Sequence, residues 1–177
     1  IMFEEMVILV NEQDQPLGVA EKLQAHQLGL LHRAFSIFII NNQQEVLLQQ
    51  RHVDKYHCGG LWTNTCCSHP RANETVLAAA QRRLYEEMGL QLQLQVLQSF
   101  IYRAEFSNGL IEHEYDHVLL GHYKGETIKI SPAEVQAYAW VSITALPQKI
   151  AQNPELYTPW LKPALDILIP NLGRKAG

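Results

Sequence analysis

Three short stretches hold most of the residues that could move protons or bind a metal. The first is Glu112-His113-Glu114-Tyr115-Asp116-His117. As a strand, it turns Glu112, Glu114 and Asp116 to one face, the first two about 7 Å apart, and His113, Tyr115 and His117 to the other. Two carboxylates on one face make either half a metal site or an edge strand in water; taken alone, they favour the edge. The second is Gly60-Leu61-Trp62-Thr63-Asn64-Thr65-Cys66-Cys67-Ser68-His69-Pro70. Here a cysteine and a histidine two residues apart are either two ligands or a reactive thiol beside one ligand. The pair Cys66-Cys67 also reads as small buried filler. The third is Glu21-Lys22-Leu23-Gln24-Ala25-His26 with Leu31-His32-Arg33, which places two histidines around a short loop. Singly, each is an ordinary surface or core histidine.

These residues need a scaffold, and the chain supplies strand and helix signals around all of them. Ala34–Ile40 is β-branched and aromatic, Asn41-Asn42-Gln43-Gln44 turns, and Glu45–Gln50 pairs back as a hairpin. Residues 91–98 alternate apolar and polar, and 100–106, 111–123, 126–130 and 137–141 read as further strands. Between them lies one strong helix, with Asn73 as N-cap, Leu77, Ala80, Leu84 and Met88 at helical spacing, and Gly89 as the stop. Beyond Ser142 the pattern is helical again, interrupted by prolines. The expected class is α/β (α+β), a mixed β-sheet sandwiched between α-helices, in a single domain over residues 1–177.

Composition narrows the function. With 14 Lys+Arg against 18 Asp+Glu in 177 residues, the net charge is −4, which lacks the cationic footprint of a nucleic-acid binder. Apolar residues at 47% with 18% charged exclude wholesale disorder. No segment approaches the ~20 apolar residues of a membrane span, and Met6–Val10 between acidic flanks is too short for a signal peptide. Three cysteines, two of them adjacent, make no disulfide framework, so a reduced, cytoplasmic setting is expected.

The helix carries a template. Glu74, seven residues, Arg82, then Leu84, Glu86, Glu87 and Gly89-Leu90 resembles the Nudix box, G-x5-E-x7-R-E-U-x-E-E-x-G-U with U apolar. Ser68 stands in place of its glycine and Arg83 in place of the glutamate after the arginine. That exchange removes a metal ligand and adds a phosphate clamp.

Taken together, Trp62-Thr63-Asn64-x-x-Cys67-x-His69-Pro70, Glu112-x-Glu114, the paired histidines and the altered helix resemble type I isopentenyl-diphosphate delta-isomerase, from about Val7 to Trp160. The resemblance implies a Nudix-type sandwich and a metal cage of His26, His32, His69, Glu112 and Glu114. Such N/O ligands with one open position suit octahedral Mn²⁺, Mg²⁺ or Zn²⁺. It further implies Cys67 and Glu114 as catalytic residues, Tyr102 beside that glutamate, and Trp160 shielding the reacting carbon. Lys22, Arg51, Lys55 and Arg83 fall on diphosphate-binding positions, and Glu87 on a second ion, a Mg²⁺ bridging the phosphates. The implied reaction is a 1,3-allylic rearrangement, with Glu114 as the acid and Cys67 as a thiolate base. The expected partner is a small diphosphate, with neither nucleic acid nor membrane, and the expected state a monomer. The alternatives are a Nudix hydrolase of a nucleoside diphosphate derivative and a non-catalytic binding module on the same scaffold.

Overall fold

Strand β3 (His32–Ile40) is buried along almost its whole length, as its unbroken run Phe35-Ser36-Ile37-Phe38-Ile39-Ile40 requires. In the computed structural model, which describes residues 5–173, this strand organises the rest. Before it come β1 (Met6–Val10), β2 (Pro16–Glu21) and helix α1 (Lys22–Leu28). After it come β4 (Glu45–Arg51), β5 (Trp62–Thr63), β6 (Cys66–Ser68), α2 (Val76–Met88), β7 (Leu94–Glu105), β8 (Ile111–His122) and β9 (Val135–Ser142). The chain ends in α3 (Leu146–Gln152), a 3-10 turn (Pro154–Leu156) and α4 (Leu161–Asn171).

The sheet is mixed, as expected. β3 runs parallel to β8 in register from His32↔Glu114 to Ile40↔His122, and antiparallel to β6 from Phe35↔Ser68 to Ile37↔Cys66. The expected β3–β4 hairpin exists only at its turn, where Ile40 meets Val46. Beyond it the strands part, and β4 pairs with β9 and β5 instead. Alternation along β3 feeds two cores. Phe35, Ile37 and Ile39 pack with Ala80, Leu84 and Met88 of α2, while Phe38 and Ile40 pack with Leu146 of α3 and Leu161 and Leu165 of α4. Helices therefore cover both faces of the sheet.

Three local expectations need correction. The N-cap of α2 is Thr75, whose hydroxyl accepts from the Ala78 amide at 3.1 Å; Asn73 sits in the preceding turn with φ 65°. The segments 91–98 and 100–106 form one strand, β7, with an irregularity between Val96 and Ser99. Residues 126–130 are extended but join no strand. Their backbone pairs with the end of α2, through Lys129 N–H to Met88 O and Ser131 N–H to Glu87 O. Gly89 permits this approach: a Cβ there would lie 2.8 Å from Lys129 Cβ, and its φ of 69° suits the helix stop.

Candidate metal and substrate site

The carboxylates of β8 are not on an edge. β8 lies between β3 and β7, and Glu112, Glu114 and Asp116 are all buried. Buried carboxylates require cationic or hydrogen-bonding partners, and here histidines supply them. Gly29 ends α1 in the left-handed conformation and returns the chain to the sheet within two residues. His26 on the last turn of α1 and His32 at the start of β3 consequently stand 5.1 Å apart between ring centres. Register places His32 directly beside Glu114.

The ring orientations suit a metal. His26 Nδ1–H donates to Lys22 O at 2.6 Å and His32 Nδ1–H to Leu30 O at 2.8 Å. In the neutral rings this leaves each Nε2 with a bare lone pair. Those lone pairs face oxygen: His26 Nε2 lies 3.1 Å from Glu112 Oε1, and His32 Nε2 3.6 Å from Glu114 Oε2. His69 Nε2 approaches Glu114 Oε2 at 2.9 Å. Acceptors so placed require a shared proton or a cation between them. The donor atoms of His26, His32 and His69 lie within 4.8 Å of one another, as do those of His69, Glu112 and Glu114. The five residues form a cluster that could hold a divalent ion.

Electrostatics fit that role. Burial would raise Glu112, but hydrogen bonds from His26 and His57 prevail and hold it well below the usual carboxylate range. Glu114 is also lowered: burial and Glu112 oppose this, and His32 and His69 outweigh them. Burial opposes charge on both histidines, yet His32 is raised by Glu114, while His69 is pushed down to about 4, with His32 adding to the repulsion.

Beside this cluster lies a sulfur site. Cys66 and Cys67 are consecutive on β6, so their side chains take opposite faces. Cys66 enters the α2 core and its thiol donates to Glu87 Oε2 at 3.1 Å. Cys67 lines the cavity, where its thiol donates to Asn64 Oδ1 at 2.8 Å and its sulfur accepts from Trp160 Nε1–H at 3.1 Å. The filler reading holds for Cys66 alone. Burial pushes the Cys67 thiol up to about 12, with Arg51 opposing it. Asn64, a residue of the Trp62–Pro70 motif with no role read from the sequence, also accepts through its Oδ1 from Thr63 Oγ1 and Trp160 Nε1, fixing the loop. Tyr102 is the cross-strand neighbour of Glu114, and its buried hydroxyl has no hydrogen-bond partner among the described residues.

Both groups open on one cavity of about 850 Å³. Glu112, Glu114, Cys67 and Trp160 line one part; Lys22, Arg51, Lys55 and Arg83 supply positive charge. Arg51 also stacks 5.4 Å over the Trp160 ring. Arg83 donates to Glu134 Oε1 at 2.6 Å, and Lys55 Nζ lies 3.7 Å from the same oxygen. Glu87 stands behind this wall, between the Cys66 thiol and Arg83 at 3.6 Å. The other carboxylates of the helix are paired with arginine: Arg82 binds Glu74 and Glu86, and Arg83 binds Glu86. Another residue missed in the sequence is His57, whose Nε2 lies 3.2 Å from Glu112 Oε1. The eight histidines of the chain, more than its solubility needs, are its one signal in the sequence, since a loop position gives no periodicity to read.

Comparison with known proteins identifies the family. A NUDIX domain model matches residues 30–161. An isopentenyl-diphosphate Delta-isomerase 2 of Aromatoleum aromaticum is 49% identical over 94% of this chain and 87% of its own. An isopentenyl-diphosphate Delta-isomerase of Serratia proteamaculans is 50% identical over 89% of this chain and 87% of its own. In fold, a crystal structure of a Deinococcus radiodurans protein superposes with a TM-score of 0.75 at 20% identity, covering 92% of this chain and 98% of that one. A MutT protein from Methanosarcina mazei does so at 0.65 and 19% identity, covering 81% and 96%. With the NUDIX model matched over most of its length and relatives of one name at about half identity over nearly all of it, the chain belongs to the isopentenyl-diphosphate Delta-isomerase family.

Proposed function

We propose that the cavity converts isopentenyl diphosphate to dimethylallyl diphosphate, with Cys67 and Glu114 as the proton-transfer pair. One observation supports this most: both groups line a single cavity whose wall also presents Lys22, Arg51, Lys55 and Arg83 together with the Trp160 ring. Lys22, Arg51, Lys55 and Arg83 would hold the diphosphate, leaving the apolar five-carbon tail to Trp160 and Tyr102. Glu87, whose Oε2 accepts from the Cys66 thiol and whose Oε1 lies 3.6 Å from Arg83, would hold a second ion, Mg²⁺, which would supply positive charge to the phosphates.

The reaction adds a proton to the terminal alkene carbon and removes one from C2, so no atom is lost. The resting pair carries one proton, because burial keeps Cys67 a thiol and the histidines keep Glu114 ionised. In that state Cys67 gives its proton to the terminal carbon, and Glu114 takes one from C2. This reverses the acid and base roles expected from the sequence, and the roles exchange in the reverse reaction. Trp160 Nε1–H donates to the sulfur and stabilises charge developing there. The indole ring also lies near the carbocation, where a desolvated cation gains roughly 2 kcal/mol. A divalent ion held by His26, His32, His69, Glu112 and Glu114, Mn²⁺ or Zn²⁺ in preference to Mg²⁺ given the imidazoles, would supply the charge that keeps Glu114 fixed and ionised.

The chain acts in this reading as one domain, as a monomer in the cytoplasm. No helix among the described residues is long and apolar enough to cross a membrane. NMR of isopentenyl diphosphate with the enzyme in D₂O tests the reaction. Deuterium entering the methyl groups of dimethylallyl diphosphate, with no phosphate released, is the expected result. Phosphate or nucleotide release without isomerisation would move the chain to the hydrolases.

A further inference from the structure

We infer that His57 is a further ligand of the cage metal and fills the coordination position that the other five residues leave open. The inference rests on the cage reading above. At a metal–ligand distance of about 2.1 Å, neighbouring corners of an octahedron stand roughly 3.0 Å apart. The contacts of the cluster match that spacing: His69–Glu114 at 2.9 Å, His26–Glu112 at 3.1 Å and His57–Glu112 at 3.2 Å, with His32–Glu114 longer at 3.6 Å. His26 and His57 approach the same oxygen, Glu112 Oε1, each through Nε2. Their two nitrogens and that oxygen all lie within 4.8 Å of one another. Whatever bridges His26 and Glu112 is therefore within reach of His57 as well.

The loop is built to present this ring. It closes between β4 and β5 through Gly60 N–H to Arg51 O and Arg51 N–H to Leu61 O. Inside that closure, Cys58 adopts φ 54° and Gly60 φ 80°, left-handed conformations that reverse the chain just after His57. Cys58 bears that strain as a non-glycine residue. Gly59 is packed so closely that a Cβ would fall 2.4 Å from Val53 O. His57 itself is 8% exposed and packs between Tyr56 and Phe106. Arg51, which faces the diphosphate, donates to His57 O at 3.3 Å, so one loop ties the metal to the phosphate site.

A fourth imidazole has two consequences. It closes the coordination sphere to substrate oxygens, so the ion acts only through the carboxylates it holds. It also shifts preference from Mn²⁺ toward Co²⁺, Ni²⁺ and Zn²⁺, which imidazole favours. X-ray absorption of the whole protein loaded with Co²⁺ counts the imidazoles. Four in the native protein and three in His57→Gln are expected, with Co²⁺ affinity falling at least about 10-fold and Mn²⁺ affinity falling less. Three in both proteins would overturn the assignment of His57 while leaving the cage intact. Two or fewer in the native protein, or no bound Co²⁺, would overturn the cage and this inference with it. The native count alone decides the matter if the variant fails to fold.

Discussion

Two regions of this molecule carry carboxylates at spacings that suit metal, and they have opposite fates. On β8, Glu112 and Glu114 face histidines, and no arginine pairs with either among the described contacts. On α2 and the turn before it, Glu74 and Glu86 are bound by Arg82 and Arg83, and Glu87 lies 3.6 Å from Arg83. A guanidinium is a permanent cation and satisfies a carboxylate outright, whereas an imidazole can surrender its proton to a metal. The carboxylates of the NUDIX helix are thus neutralised by arginine, while those of the strand stand ready for a cation. A NUDIX fold by itself does not decide between hydrolysis and isomerisation; the partners of the carboxylates bear on that choice.

The contrast is broken most severely at Glu114. Glu114→Gln should lower turnover by at least about 10³-fold and release the cage metal, since charge and proton acceptor vanish together. Cys67→Ser should lower turnover by about 10²–10⁴-fold with metal content unchanged. Elemental analysis beside kinetics separates the two; loss of metal in Cys67→Ser would merge sites kept apart here. Glu112→Gln should fall between them, with activity partly restored by excess Mn²⁺.

Arg83 is the next test. Arg83→Gln removes a charge-assisted contact worth about 1.5–3 kcal/mol, so KM should rise by roughly 10–100-fold. Arg83→Glu restores the box residue among Glu86, Glu87 and Glu134 and should behave no better. Pyrophosphohydrolase activity in that variant, measured as phosphate release, would show that the helix still holds a hydrolytic metal site.

Titration sharpens the contrast further. If the Cys67 thiol is the working form, forward kcat/KM stays flat from pH 7.5 to 9.5, since the group ionises only near 12. A rise approaching tenfold per pH unit over that range would mean that the thiolate is required and would restore the base role expected of Cys67 from the sequence. Metal-free protein should also lose stability in acid. With His69 depressed from 6.5 to about 4, the unfolded chain takes up the proton first. Its contribution is present above pH 6.5 and is lost as pH falls toward 4, which thermal melts at pH 7, 5.5 and 4.5 would follow. The smallest effects belong outside the cavity. Cys66→Ser and Glu86→Gln should each leave turnover and metal content within about twofold of native.

Much of this was legible before any coordinates. Period two along 111–117 fixed which face Glu112 and Glu114 share, and the same alternation separates Cys66 from Cys67. The burial of that face was not legible, because it depends on β8 lying between β3 and β7, pairings that span most of the chain. The N-cap of α2 was misplaced because Asn73 and Thr75 are both good caps, and only the turn at φ 65° decides between them. Residues 126–130 have a strand's composition but meet the end of α2 instead of a sheet edge. His57 left no pattern, since a loop closed by left-handed residues obeys no periodicity.

In the absence of substrate, metal is expected in the β8 cage and not on the helix. Crystals grown without substrate and soaked in Mn²⁺, measured at the manganese absorption edge, test it most directly. An anomalous peak among His26, His32, His69, Glu112 and Glu114, with none on Glu74, Glu86 or Glu87, is the result this account predicts. A peak on the helix carboxylates with the cage empty would contradict it.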